Sequence, residues 1–366
     1  MPCDRKIRVL IVDDSAIVRK ILSEALSSEP DIEVAGTAPD PFVARDKILA
    51  LQPDVLTLDI EMPRMDGLTF LRKLMHFHPM PTVVISSLAQ PSCRIALQAL
   101  ECGAVEVLAK PGGPYSVGEL RQTLAAKVRA AAFARLRRPA APSDVPAAAV
   151  PTIPARALLP GAVFAIGAST GGTEAIAVVL RQLPAGCPGV VIAQHIPPQF
   201  SRAFAARLND LCTIDVKEAE DHDFLRPGLA LVAPGDFHML LRKAGGRYYV
   251  EVKTGPKVCY QRPSVDVLFS SVAEAAAADA VGTLLTGMGS DGAHGLLRMR
   301  QAGARTIAQD EATCVVYGMP REAVLCGAAA QVLPLPAISA AMMAPRTRAA
   351  HRPNQPAELT VPFAGR

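Results

Sequence analysis

Ala162-Val163-Phe164-Ala165-Ile166-Gly167-Ala168-Ser169-Thr170-Gly171-Gly172 is an apolar run that breaks into glycines around one serine and passes into the helical pattern 174–183. A continuous rather than alternating apolar strand is what a parallel sheet covered on both faces requires. The stretch therefore reads as strand–turn–helix, one unit of an α/β fold. Its glycines permit a sharp turn that lifts the Ser169 hydroxyl clear of the sheet, and the helix start favours developing negative charge. Gly-rich turns in this position also hold phosphates, so the G-x-S-x-G pattern alone leaves two readings open.

The same grammar extends outward in both directions. After residue 162, further buried-strand patterns lie at 189–194, 230–233 and 281–286, with helical patterns at 264–278 and 292–302, and 248–253 reads as part of an edge hairpin. Before it, apolar runs at 7–12, 32–36, 54–58, 82–85 and 105–109 alternate with helical patterns at 16–26, 42–51, 68–75 and 93–100. Five such units predict a doubly wound parallel sheet with its ligands at the carboxyl ends of the strands. Between the two α/β regions, residues 139–160 carry Pro139, Pro142, Pro146, Pro151, Pro154 and Pro160. Proline at that density removes donors and blocks helix, giving a semi-extended linker. The expected organisation is a first domain over 1–130, a linker over 131–160, a second domain over 161–345, and a Pro- and Arg-rich tail over 346–366 that reads as disordered.

Composition narrows the function. The 366 residues carry a net charge of only +4, and the basic residues are scattered apart from Arg135, Arg137 and Arg138. No concentrated basic stripe suggests nucleic acid. The eight cysteines form no C-x-x-C pair, which points to reduced thiols rather than a metal or disulfide framework. The acidic pair Asp13-Asp14 leaves no room for a signal peptide, and no uncharged apolar run reaches about 18 residues. A cytoplasmic protein without direct membrane insertion is expected.

Charged residues cluster at the first domain's strand ends: Asp13 and Asp14 after the first strand, Asp59 after the third, Lys110 after the fifth. Each acid taken singly is an ordinary cap or loop residue. Together they meet where the strand order reverses, and clustered carboxylates are costly to bury unless a cation bridges them. A hard ion such as Mg²⁺ suits an all-oxygen site, one carboxylate can then act as a nucleophile, and the lysine balances added charge. In the second domain, His195 ends one apolar run and Asp291 follows another, so Ser169, His195 and Asp291 all fall at carboxyl strand ends where a nucleophile, its base and an orienting acid can converge. The order Ser, His, Asp differs from that of α/β-hydrolases, chymotrypsin and subtilisin. His294, three residues after Asp291, is the rival base. His76 with His78, and Asp221-His222-Asp223, read as solvated surface rather than metal sites.

The segment from Lys6 to about Arg129 resembles a two-component receiver domain, on Asp13-Asp14, Leu58-Asp59-Ile60-Glu61-Met62-Pro63, Met65-Asp66-Gly67, Ser86 and Lys110-Pro111. The resemblance implies phosphorylation of Asp59 by a chemotaxis histidine kinase, Mg²⁺ held by Asp14, Asp59 and the Glu61 carbonyl with Asp13 acting through water, and Ser86 and Lys110 meeting the phosphoryl group. It also implies a cis peptide before Pro111. Val107 stands where many receivers carry an aromatic switch residue, so any switch is transmitted differently here. The segment from Phe164 to about Leu333 is similar to the protein-glutamate methylesterase domain of bacterial chemotaxis, on Gly167–Gly172, Gln194-His195-Ile196-Pro197, Arg262-Pro263-Ser264-Val265-Asp266, Leu285–Ala293 and Tyr317-Gly318-Met319-Pro320. That similarity implies a phosphorylation-activated hydrolase of glutamyl methyl esters, and in some members of glutamine amides, on methyl-accepting chemotaxis receptors. Ser169 is then the nucleophile, His195 the base, Asp291 the orienting acid, and backbone donors near Thr170 and Met288 the oxyanion site, with no cofactor in this domain. Three rivals remain: a phospho-dependent transcription factor, for which no helix-turn-helix with a basic face is found, an inert docking module, and a general serine peptidase.

Overall fold

The computed structural model describes residues 5–110, 117–136 and 161–345. Among these, the first region holds strands β1 (Ile7–Val12), β2 (Ile32–Ala38), β3 (Val55–Asp59), β4 (Thr82–Ser86) and β5 (Glu106–Ala109). They alternate with helices α1 (Ala16–Ser27), α2 (Pro41–Leu51), α3 (Gly67–Phe77), α4 (Gln90–Glu101) and α5 (Val117–Ala132). All its strand pairs are parallel, in the order β2-β1-β3-β4-β5. Strands β3, β4 and β5 are buried at every position, as continuous apolar runs require. Residue chemistry also sets the helix starts: Asp40 accepts from the backbone N–H of Phe42 and Val43 ahead of α2, and Asp66 accepts from Thr69 ahead of α3.

The second region comprises β6 (Val163–Ala168), α6 (Gly172–Arg181), β7 (Gly189–Gln194), α7 (Phe200–Leu211), β8 (Asp215–Glu218), β9 (Leu229–Val232), β10 (His238–Ala244) and β11 (Arg247–Lys253). It continues through α8 (Val265–Ala276), β12 (Ala280–Leu284), α9 (Ala293–Gln301), β13 (Arg305–Gln309), α10 (Met319–Leu325), β14 (Gln331–Leu333) and α11 (Leu335–Met343). Seven of these strands form a parallel sheet in the order β14-β13-β12-β6-β7-β9-β8. The strand order reverses beside β6, so the loops after β6, β7 and β12 open at the switch point. The 248–253 run forms a hairpin as expected, pairing as β11 antiparallel with β10, but in a separate two-stranded ribbon rather than at an edge of this sheet. Phe164, Phe200, Phe204 and Phe269 are among the largest fully buried side chains.

The regions are packed together. Cys93, Ala96 and Leu97 of α4 share one continuous buried cluster with Ile176, Val179 and Phe204 of the second region. At its rim Arg207 of α7 reaches Glu101 at 2.5 Å and Glu174 of α6 at 2.8 Å. Most of the linker, the tail and the bond before Pro111 lie outside the described residues.

Candidate active site

Ser169 follows β6 and His195 follows β7, and the two strands are paired to their ends, Ala168 opposite Gln194. The His195 backbone N–H donates to the Ala168 carbonyl at 3.1 Å, and the Gln194 side-chain amide donates to the Ser169 carbonyl at 2.8 Å. The turn is therefore fixed on two sides. On a third, the Ser169 N–H donates to Thr286 O at 3.0 Å. Gly287 lies so close that a Cβ there would come within 2.7 Å of the Ser169 Cβ, which brings the Gly287–Gly289 loop, with Met288 at its centre, against Ser169.

His195 and Asp291 are both buried, and the His195 Nε2 lies 2.7 Å from Asp291 Oδ2. Asp291 also accepts from Ser264 Oγ at 2.8 Å, from the Val265 N–H at 2.7 Å and from the Asp266 N–H at 3.0 Å. It does not cap α9, whose N-cap is Gly292. Instead it closes the N-terminus of α8 from outside, where oriented N–H groups favour an anion. Burial pushes its carboxyl up, but the bond to His195, the imidazole charge and the α8 N–H groups outweigh that and hold it below 3.8. This engages Nε2 of His195 and leaves Nδ1 as the ring nitrogen turned away from Asp291. That Nδ1 is buried and has no hydrogen-bond partner among the described residues, Ser169 included. His294 is exposed on α9.

Ser264 and Gly287 are site residues that motif spacing leaves unassigned. The signal for Ser264 is its place as the first residue of the 264–278 helical pattern, where a hydroxyl caps: it accepts from Val267 N while donating to Asp291. Gly287 gives no such signal, because its need for a bare Cα comes from Ser169, over a hundred residues away.

In the first region, carboxylate oxygens of Asp13, Asp14 and Asp59 lie within 4.8 Å of one another, near the span of an octahedral Mg²⁺ shell with bonds of about 2.1 Å. Asp13 Oδ2 is buried without a hydrogen-bond partner among the described residues, and a buried carboxylate oxygen of this kind fits a cation ligand. Burial raises the carboxyl of Asp59 to about 6 and also raises that of Asp13. Lys110 Nζ lies 2.7 Å from Asp59 and 3.8 Å from Asp13. Ser86 Oγ donates to Ser92 O at 3.3 Å, turned toward α4. The Glu61 side chain takes hydrogen bonds from Ser87 and Ser92, while its N–H donates to Asp59 at 3.0 Å. Gly67 is obligatory here, since a Cβ would meet the Asp59 carbonyl at 2.0 Å. Val107 is buried in β5. Of the sites read as surface, His76 and His78 are exposed, and Asp221 pairs with its neighbour His222.

Two family models match: residues 9–124 as a response regulator receiver domain and residues 164–342 as a CheB methylesterase. The chain is 56% identical over 334 residues to a protein-glutamate methylesterase/protein-glutamine glutaminase of Syntrophus aciditrophicus, covering 91% of this chain and 97% of that protein.

The chain belongs to the CheB methylesterase family.

A protein-glutamate methylesterase/protein-glutamine glutaminase of Anaeromyxobacter dehalogenans is 56% identical over 92% of this chain and 94% of its own length. One from Salmonella typhimurium is 54% identical over 93% of this chain and 97% of its own. The receiver domain and the CheB catalytic domain are thus joined in this chain as in full-length relatives. Among the described residues no helix is long and apolar enough to cross a membrane.

Proposed function

We propose that this protein removes methyl groups from glutamyl methyl esters of chemotaxis receptors, and ammonia from selected receptor glutamines, under control of phosphorylation at Asp59. The observation that carries the reaction is the buried His195–Asp291 pair at 2.7 Å beside the Ser169 turn. Ser169 Oγ attacks the ester carbonyl as His195 Nδ1 takes its proton. Asp291 stabilises the imidazolium, and backbone N–H groups near Thr170 and Met288 meet the developing oxyanion, each contributing about 10²–10³ in rate. His195 returns the proton to the departing methanol. Water then enters and attacks the acyl carbonyl as it loses a proton to the same ring; the bond to Ser169 Oγ breaks, His195 returns that proton to the serine, and the receptor glutamate is freed. An amide substrate follows the same course with ammonia leaving.

Asp13, Asp14, Asp59 and the Glu61 carbonyl are the residues suited to hold Mg²⁺, which would neutralise charge while a phosphoryl group is transferred to Asp59 from the chemotaxis histidine kinase. Lys110 then pairs with the new charge, and Ser86 turns from Ser92 to meet it. The unphosphorylated receiver packs over the esterase cleft, and phosphorylation loosens that packing. The protein and its reaction are cytoplasmic.

Methanol release from methylated receptor membranes, with and without a small phosphodonor, tests the reading. Ser169→Ala should abolish release with the fold retained, and an unchanged rate would end it. A fragment starting near Ala155 should outpace the unphosphorylated full chain. If it does not, simple occlusion is wrong.

A further inference from the structure

The receiver does more than lie beside the cleft. Glu106, the first residue of the edge strand β5, is buried against the esterase domain, 5% exposed. Its Oε2 accepts a hydrogen bond from Thr170 Oγ1 at 2.8 Å and pairs with Lys127 Nζ of α5 at 2.6 Å. Thr170 is itself 1% exposed and directly follows Ser169. A second hold reaches the next residue. The Arg135 N–H, just beyond α5, donates to Val315 O at 2.9 Å, and the Arg135 side chain pairs with Glu311 at 2.6 Å. Val315 in turn packs on the receiver core and lies over Gly171, where a Cβ would come within 2.6 Å of it. Receiver contacts therefore converge on two successive residues of the nucleophile turn, where His195 Nδ1 has no hydrogen-bond partner among the described residues.

Resting on the reading of Ser169 as nucleophile, we propose that Glu106 is a positioning residue that clamps the turn through Thr170 and keeps the Ser169 hydroxyl off His195 until the receiver withdraws. The effect is on the chemical competence of the serine, which sets it apart from exclusion of a bulky receptor. The carboxylate suits a releasable clamp. Lys127 keeps its charge paired in either state, and on separation water replaces only the Thr170 hydroxyl.

Steric exclusion leaves a small reagent unaffected, whereas a clamp does not. The test is therefore the rate at which a small fluorophosphonate labels the unphosphorylated full chain. Glu106→Ala should label about tenfold faster than the parent, the worth of one charge-assisted hydrogen bond. Glu106→Gln, which keeps an acceptor for Thr170, should fall between them. A damaged fold slows labelling, so the sign separates a clamp from a structural role. Equal rates for the parent and a folded Glu106→Ala would overturn the proposal. Should that variant fail to fold, amide exchange in the unmodified chain decides: a peptide spanning 168–172 should exchange faster after a small phosphodonor, and unchanged exchange would overturn the clamp. Ser169→Ala is the control that isolates the underlying reading, since labelling that persists in it sinks the nucleophile assignment instead.

Discussion

Asp59 and Asp291 are both buried carboxylates at the carboxyl end of a parallel sheet, 0% and 2% exposed, and their proton affinities are displaced in opposite directions. Asp59 has Lys110 and one backbone N–H against its burial and the nearby Asp13, and its carboxyl rises to about 6. Asp291 collects His195, Ser264 and two N–H groups of α8, and its carboxyl falls. Burial alone therefore decides nothing. The number of donors supplied separates a carboxylate locked as a fixed charge from one left short of partners, which a metal and a phosphoryl group can exploit.

The largest expected effect removes the locked charge. Asp291→Ala should lower methanol release by about 10⁴-fold, since the imidazole loses its orienting acid. A loss under tenfold would show that His195 is held well enough without it. Next, Asp59→Asn should eliminate stimulation by a small phosphodonor while unstimulated release stays measurable. Stimulation that survives would put the phosphoacceptor elsewhere. Ser264→Ala takes one donor from Asp291 and the cap from α8. It should cost about 1–2 kcal/mol in chemical denaturation, and no loss would mean that the remaining donors suffice.

The smallest effect is in pH. Because the folded carboxyl of Asp59 lies above its ordinary 3.8, the folded state holds that proton more tightly than the unfolded chain does. The contribution is present below pH 3.8 and is lost as pH rises through about 6 in metal-free protein. Asp291 has the opposite sign, adding stability above pH 3.8 and losing it in more acidic solution. Denaturation midpoints in chelator should show the Asp59 decline between about pH 4 and 6 flattened by Asp59→Asn, and a curve that the substitution leaves unchanged would break the comparison.

The buried strands and their helices are readable because each apolar run carries its own signal: 189–194 matches β7 to the residue, and 7–12 matches β1. Short or half-exposed strands give no such signal. β8 sets the charged Asp215, Lys217 and Glu218 around a single apolar Val216, and β14 spans three residues on the sheet edge. The partner of the 248–253 run is not legible because β10 alternates weakly, and an antiparallel ribbon is set by pairing rather than by either strand alone.

The amino-acid order by itself determined which residue types stand at strand ends: the serine turn, the histidine, the acids and the lysine, each marked by an apolar run or by glycines a few residues away. Only the tertiary structure decided what those residues do to one another. Asp291 closes a helix that begins 26 residues before it, Gly287 leaves room for Ser169, and Glu106 of one domain grips Thr170 of the other, 64 residues along. Periodicity and turn chemistry are local, whereas hydrogen bonding and proton affinity depend on neighbours through space, and packing alone chooses those neighbours.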